Sequence, residues 1–179
     1  SAFSAMIGRS LAMWNFHKGI VFSHAYASAW YTWPLDLKPL VDISTVIGET
    51  KVSTVATFGN PLLWWCSVPA FFLLLYRALY RKERKAFYLC LAFFSMLFPW
   101  VLIRRTVFIY QYYGCALVNI AILTYLACVL DRKHRRLVNA FAIISVVLFT
   151  MFYPVLSGLP VRIHTVQTWL EWMENWKFT

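Results

Sequence analysis

Charge is scarce in this chain, and negative charge is scarcest. Of 179 residues only 13% are charged, with 7 Asp and Glu against 17 Lys and Arg. A soluble domain of this size carries about a quarter charged residues, so the 61% of hydrophobic side chains exclude a water-soluble fold. The five acids outside the two denser basic connections are also poorly placed for chemistry. Asp36, Asp42, Glu49, Glu171 and Glu174 form no adjacent pair and no DxD-type cluster, and transfer of a group to a hydroxyl wants a carboxylate base close to the acceptor oxygen. The catalytic group is therefore unknown from these residues. Cysteine is equally uninformative as chemistry. Cys66, Cys90, Cys115 and Cys128 all lie in apolar runs without CxxC spacing, which argues against a zinc site or a disulfide framework and for small buried hydrophobes. His17 and His24, seven apart, share a face of a continuous helix, but no acid or thiol stands at ligand spacing. No metal site is expected, and structural histidines are. The net charge of +10 comes from short clusters between apolar runs, not from a basic face, so nucleic acid is excluded as a partner.

What the sequence has instead is four long runs free of Asp, Glu, Lys, Arg and His, at 61–76, 86–103, 106–130 and 137–156. Crossing a bilayer takes about 20 helical residues. The last three runs qualify, and the first does so when residues 78–80 are added and Arg77 snorkels to the interface. Between the runs the basic residues alternate in density. Arg77, Arg81, Lys82, Arg84 and Lys85 follow the first, Arg104 and Arg105 the second, and Arg132, Lys133, Arg135 and Arg136 the third. The positive-inside rule makes the two larger clusters cytoplasmic. The Arg104/Arg105 connection, the first sixty residues and the tail then face the extracytoplasmic side.

The segment ahead of the first run carries too many charges to span, yet it is rich in aromatics. Residues 3–22 suit one or two helices lying on the membrane, and Tyr26, Trp30, Tyr31 and Trp33 suit the headgroup level. Residues 41–47 and 51–58, separated by Gly48 and Glu49, predict a short β-hairpin, and Pro61 suits the first turn of a helix. Beyond the fourth run, Pro154, Gly158 and Pro160 break the helix. Val166, Trp169, Leu170, Met173 and Trp176 then recur at helical spacing, as in an interfacial helix. The expected fold is an all-α membrane protein with four transmembrane helices. It divides into an extracytoplasmic cap with short helices and a hairpin at 1–60, a membrane region at 61–157, and an interfacial tail at 158–179. Ser1 opens the chain without a targeting signal, which reads as a piece of something longer.

Two features carry chemistry. Arg104 and Arg105 sit together at the outer ends of two spans, where guanidinium groups grip a lipid phosphate bidentately or simply anchor to ordinary headgroups. Tyr110, Gln111, Tyr112, Tyr113 and Asn119 concentrate hydrogen-bonding groups in the outer half of the third span, either for interhelical packing or to line a wet cavity.

Four stretches resemble one family. His24-Ala25-Tyr26-Ala27-Ser28-Ala29-Trp30-Tyr31-Thr32-Trp33-Pro34 is similar to the H-P-Y-x-S-x-W-x-x-W-P segment of bacterial-type protein O-mannosyltransferases and related phospholipid-carrier-dependent glycosyltransferases. Gly59-Asn60-Pro61-Leu62-Leu63-Trp64-Trp65 resembles their G-N-P-x-x-W-W, Arg105-Thr106-Val107-Phe108-Ile109-Tyr110-Gln111-Tyr112 their R-x-x-F-x-Y-H-Y, and Tyr153-Pro154-Val155-Leu156-Ser157-Gly158 their closing Y-P-x-x-x-G. The order is right and the four span most of the chain. Ala25 stands where the family has Pro, and Gln111 where it has His, which removes a titratable group.

The resemblance implies the C-terminal part of a GT-C membrane glycosyltransferase that moves mannose from polyprenyl or dolichyl phosphate to Ser and Thr hydroxyls of proteins. It implies a donor-phosphate role for Arg104 and Arg105, and a substrate pocket from His24, Tyr26, Ser28, Trp30, Trp33, Asn60, Tyr110, Gln111 and Tyr112. No tightly bound cofactor is implied. Partners would be membrane lipids, the lipid-linked sugar donor, acceptor proteins, and the N-terminal half of the same enzyme or a partner subunit, since the family's catalytic acid lies in that half. The membrane would be a bacterial plasma membrane or the endoplasmic reticulum. Two other readings stay open: a non-catalytic membrane module that binds the carrier or a subunit, and a transporter, against which stands the absence of ionisable residues inside the spans.

Overall fold

The computed structural model describes residues 2–19, 22–103 and 105–179. Helix α1 (Ala2–Lys18) is followed by a 3-10 turn (Trp30–Leu35) and strands β1 (Leu40–Ile47) and β2 (Lys51–Thr57). Helices α2 (Pro61–Leu79) and α3 (Arg84–Leu102) come next, then a second 3-10 turn (Ile109–Tyr112) and the long helix α4 (Tyr113–Ser157). A short strand β3 (Val161–Arg162) and helix α5 (Ile163–Trp169) close the order.

Among the described residues four stretches are long and apolar enough to cross a membrane: Pro61–Leu79, Arg84–Leu102, Ile109–Leu130 and His134–Ser157. They coincide closely with the four uncharged runs. The third and fourth belong to one 45-residue helical stretch that breaks at His134, where φ is −132° and ψ is 40°. Two of the boundaries have a clear local cause. Asn60 takes an extended conformation, its side chain accepts from the Leu62 and Leu63 N–H groups, and Pro61 occupies the first turn of α2, so two orphan donors and one missing donor are accounted for together. At the other extreme Gly158, with φ of 77°, ends α4 in the left-handed conformation that glycine tolerates best.

Strands β1 and β2 form an antiparallel hairpin closed between Ile47 and Lys51, with an irregularity between Val41 and Ile43. β2 alternates strictly, burying Val52, Thr54 and Ala56. The buried face meets the end of α4 and the tail. β3 adds a third strand, pairing Lys51 with Arg162 and Val52 with Val161. Cap and tail therefore lie at the same end of the bundle, as the alternation of basic clusters requires.

Two cores result. One joins the spans to the first 3-10 turn through Trp33, Trp64, Leu74, Phe93, Ile109 and Tyr112. The other is aromatic and lies between hairpin, α4 and tail, with Phe58 at 5.3 Å from Phe152 and 5.5 Å from Trp176, ring centre to ring centre. The tail differs from the regular helix that its spacing suggests. α5 ends at Trp169, and the buried Val166, Leu170, Trp176 and Phe178 pack into this second core. The indole N–H of Trp176 donates to the Asp36 carbonyl at 2.8 Å, a fixed protein partner that draws the chain out of helical register.

α1 is one helix, and residues 2–17 are exposed on all its faces. Phe3, Met6, Leu11, Trp14 and Phe16 are among its exposed apolar groups.

Candidate functional site around Arg105

Past α3 the chain leaves helix at Ile103, whose backbone is extended. It then runs alongside residues 22–28. The Phe22 N–H donates to Thr106 Oγ1 at 3.1 Å, that hydroxyl donates to the Phe22 carbonyl at 2.7 Å, and the Ser28 N–H donates to the Val107 carbonyl at 3.0 Å. These bonds clamp the segment that carries Arg105 against the segment that carries the aromatic motif. The Gln111 side chain accepts from the Phe108 N–H at 3.2 Å and fixes the turn that follows.

Arg105 is half-buried and lines two cavities at once. The larger, of about 740 Å³, lies between α1 and the end of α3, with Met13, Trp14, His17, Leu102 and Ile103 in its wall. The smaller, of about 360 Å³, includes Ser28, Trp30, Tyr31 and Thr106. Among the described residues neither ion pair involves Arg105. A guanidinium in a partly dry setting without a carboxylate offers its donors to an anion, and its planar fork suits phosphate. Arg104 lies outside the described residues.

The other residues of the aromatic and tyrosine motifs divide into two groups. Ser28 and Trp30 line the smaller cavity with Arg105. His24 is not in its wall, its Nδ1 accepting from the Tyr26 N–H at 3.2 Å and its ring meeting Tyr26 and Phe108 at 6.0 and 5.1 Å. Tyr110 is exposed and stacks on Phe108 at an interplanar angle of 13°. By contrast Trp33 is fully buried, donates its indole N–H to Ser28 Oγ at 2.9 Å, and accepts from the Trp64 indole at 2.7 Å through its carbonyl. Tyr112 is buried and accepts from the Asn119 amide at 2.9 Å. Asn60 donates to the Ser145 carbonyl at 2.9 Å besides capping α2. The polar atoms of these three are engaged within the scaffold.

One residue that matters here left no signal in the sequence. Asp36 reads as one more exposed acid, yet it is fully buried, with Oδ2 accepting from the Gly59 N–H at 2.8 Å and Oδ1 unpartnered among the described residues. Burial pushes its carboxyl up from 3.8 to about 7, against the opposing pull of the Gly59 N–H. Its burial depends on the first 3-10 turn, the start of α2 and the tail, which no local pattern reveals. Gly59 is forced by the same geometry, because any Cβ there would overlap the Trp64 ring. Among the described residues no group of three His, Cys, Asp or Glu is placed to hold a metal.

Comparison with known proteins settles the family. Residues 2–176 match the family described as the C-terminal four TMM region of protein-O-mannosyltransferase. The chain belongs to that family. Curated relatives named polyprenol-phosphate-mannose–protein mannosyltransferase come from Mycobacterium tuberculosis, 26% identical over 91% of this chain and 35% of the relative, and from Mycolicibacterium smegmatis, 23% identical over 93% and 36%. That of Corynebacterium glutamicum is 24% identical over 93% and 36%. This protein O-mannosyltransferase region thus spans about a third of the length of the curated relatives it matches. Its fold is that of the S. cerevisiae protein O-mannosyltransferase Pmt1-Pmt2 complex bound to the sugar donor, at a TM-score of 0.77 and 21% identity, over the whole of this chain and 27% of that one. As a member of this four-span family the chain is an integral membrane region, with Arg105 and the three-stranded sheet at one end of its bundle.

Proposed function

We propose that this chain is the lipid-embedded C-terminal part of an enzyme that transfers mannose from a polyprenyl or dolichyl phosphate carrier to Ser and Thr hydroxyls, with Arg105 holding the donor phosphate. The observation that carries the reading is the position of Arg105 in the walls of two cavities, without an acidic partner among the described residues. The larger cavity, walled by Met13, Trp14, Leu102 and Ile103, suits the first isoprenoid units of a carrier. The smaller, with Ser28, Trp30 and Tyr31, suits a sugar, whose hydroxyls need hydrogen-bonding groups and whose apolar face packs on aromatic rings.

In this reading the acceptor hydroxyl attacks the anomeric carbon as its proton passes to a carboxylate outside this chain. The bond from that carbon to the phosphate oxygen breaks with inversion, and the electron pair leaves with the lipid phosphate. Negative charge on the phosphate grows as the bond breaks, and a preorganised guanidinium stabilises it more in the transition state than in the ground state. The end of the bundle that carries Arg105 then faces the extracytoplasmic side, consistent with the denser basic clusters at the other end.

The test is mannosyl transfer to a Ser/Thr peptide by the complete enzyme carrying Arg105→Ala or Arg105→Lys. A loss in kcat/KM of about 1,000-fold for Ala, larger than its loss in donor binding, and about tenfold for Lys is expected, since Lys keeps the charge but loses the fork. Near-normal transfer by the Ala variant would remove Arg105 from the reaction.

A further inference from the structure

The break at His134 leaves a second feature at the opposite end of the bundle. The third and fourth spans run back along one another there without closing fully. Two adjoining grooves, of about 350 and 600 Å³, share Leu123, Ala127, Val138 and Phe141 as their common wall. The first is completed by Pro69, Ala70 and Leu73 of α2, and its lining is apolar throughout. Only 11% of the fourth span is buried in the protein, the smallest share of the four. Its fixed points are the Asn60 bond to the Ser145 carbonyl at mid-span, which borders the second groove, and the packing of Phe152 and Val155 in the aromatic core at its far end.

The second groove differs from the first at its mouth. Arg135 and Asn139, one helical turn apart, line it together with the exposed Cys128. Arg135 is exposed and has no carboxylate partner among the described residues. Arg132, Lys133 and Arg136 flank it in sequence. An apolar cleft inside hydrocarbon does not stay empty, because its walls forfeit dispersion contacts unless a chain fills it. A basic group at the rim of such a cleft adds attraction for an anionic headgroup.

We infer that the cleft between the third and fourth spans binds one anionic glycerophospholipid, with acyl chain against Leu123, Ala127, Val138 and Phe141 and phosphate at Arg135. The Arg135 rim of this lipid site is at the other end of the bundle from Arg105, while its apolar wall reaches Ile120 and Ser145 at mid-span and Leu63 near the start of α2, and the site takes no part in sugar transfer. It wedges a helical hairpin that has little protein packing of its own.

The test uses the complete, delipidated protein and follows N-ethylmaleimide labelling of Cys128 by peptide-resolved mass spectrometry while phosphatidylglycerol or phosphatidylcholine of equal acyl composition is added. Phosphatidylglycerol should protect Cys128 at about fivefold lower concentration than phosphatidylcholine, the gain expected for one arginine near a charged headgroup. Arg135→Gln should erase that difference, and Ala127→Phe, which fills the cleft, should erase protection by either lipid. Arg81→Gln, a basic residue of the same membrane end that does not line the cleft, should leave the preference intact. Equal protection by the two lipids, or equal loss in the Arg81 and Arg135 variants, would overturn the inference. So would a Cys128 that is unreactive before any lipid is added, which would mean that protein already covers the cleft.

Discussion

Arg77 and Arg105 stand at opposite ends of the same bundle, and their surroundings could hardly differ more. Arg77 is held by Glu83 through two bonds, Nε to Oε2 at 2.9 Å and Nη2 to Oε1 at 2.8 Å, while the Tyr125 hydroxyl donates to Glu83 Oε2 at 2.6 Å. Its guanidinium carbon also lies 6.0 Å from the Tyr125 ring centre. Two of its three nitrogens are bonded to one carboxylate, and the work they do is to tie the connection between α2 and α3 to the third span. Arg105 has no such carboxylate among the described residues and opens onto two cavities. Both are arginines at span ends in a chain short of acids. What separates the two is where the scarce carboxylates lie.

The largest effect that sharpens this contrast should come from Arg105→Ala, which is expected to weaken donor binding by about 100-fold while leaving the melting temperature nearly unchanged. Isothermal titration with the lipid-linked donor and a thermal melt on the same sample read both quantities. A variant that melts early and binds normally would give Arg105 the role assigned here to Arg77.

The second largest concerns Asp36. Its folded carboxyl is raised to about 7, so the protein binds this proton more tightly folded than unfolded. The stabilisation is complete below about pH 4, the unfolded value, and is lost as pH rises through about 7. A shift of this size corresponds to roughly 4 kcal/mol when fully expressed. Melting temperature should therefore fall between pH 5 and pH 8, and Asp36→Asn should flatten the fall. An unchanged slope in the Asn variant would show that Asp36 is not the group that titrates.

Glu83→Gln should act in the reverse sense to Arg105→Ala. The Tyr125 hydroxyl and Arg77 hold the Glu83 carboxyl below its ordinary range, so its charge stabilises the fold above that range and is lost as pH falls through it. The variant should melt earlier at neutral pH and keep the wild-type donor affinity. Loss of donor affinity without loss of stability would contradict the division between the two ends.

The smallest effect is expected at Tyr31, an exposed ring in the wall of the smaller cavity. Tyr31→Ala should raise KM about two- to tenfold, the usual worth of one aromatic contact, with kcat little altered. A fall in kcat alone would place the ring nearer the reacting atoms than the cavity wall suggests.

The spans and the hairpin were legible in the sequence because each rests on a strong local signal: uncharged length for the helices, alternation around Gly48 for the strands. β3 was not, since a two-residue strand has no period to read. The tail shows how a spacing signal outlasts the structure it suggests. Trp169, Met173 and Trp176 keep helical intervals, but beyond Trp169 the backbone follows the Trp176 indole to the Asp36 carbonyl. Within the candidate site, motif membership did not sort residues that line a cavity from residues that build the scaffold. Trp30 and Trp33 belong to one motif, yet the first lines a cavity and the second is a fully buried, hydrogen-bonded core residue. Asp36 was illegible because its environment is assembled from three separate parts of the chain.

The central claim, that Arg105 holds the donor phosphate, is tested most directly by displacing labelled polyprenyl-phosphate-mannose with unlabelled polyprenyl phosphate and with polyprenol on the complete enzyme in nanodiscs. On the wild type, polyprenyl phosphate should compete about 100-fold better than polyprenol, and Arg105→Ala should abolish that advantage while Arg77→Ala retains it. Equal competition by the two lipids on the wild type, or an undiminished phosphate preference in Arg105→Ala, would contradict the account.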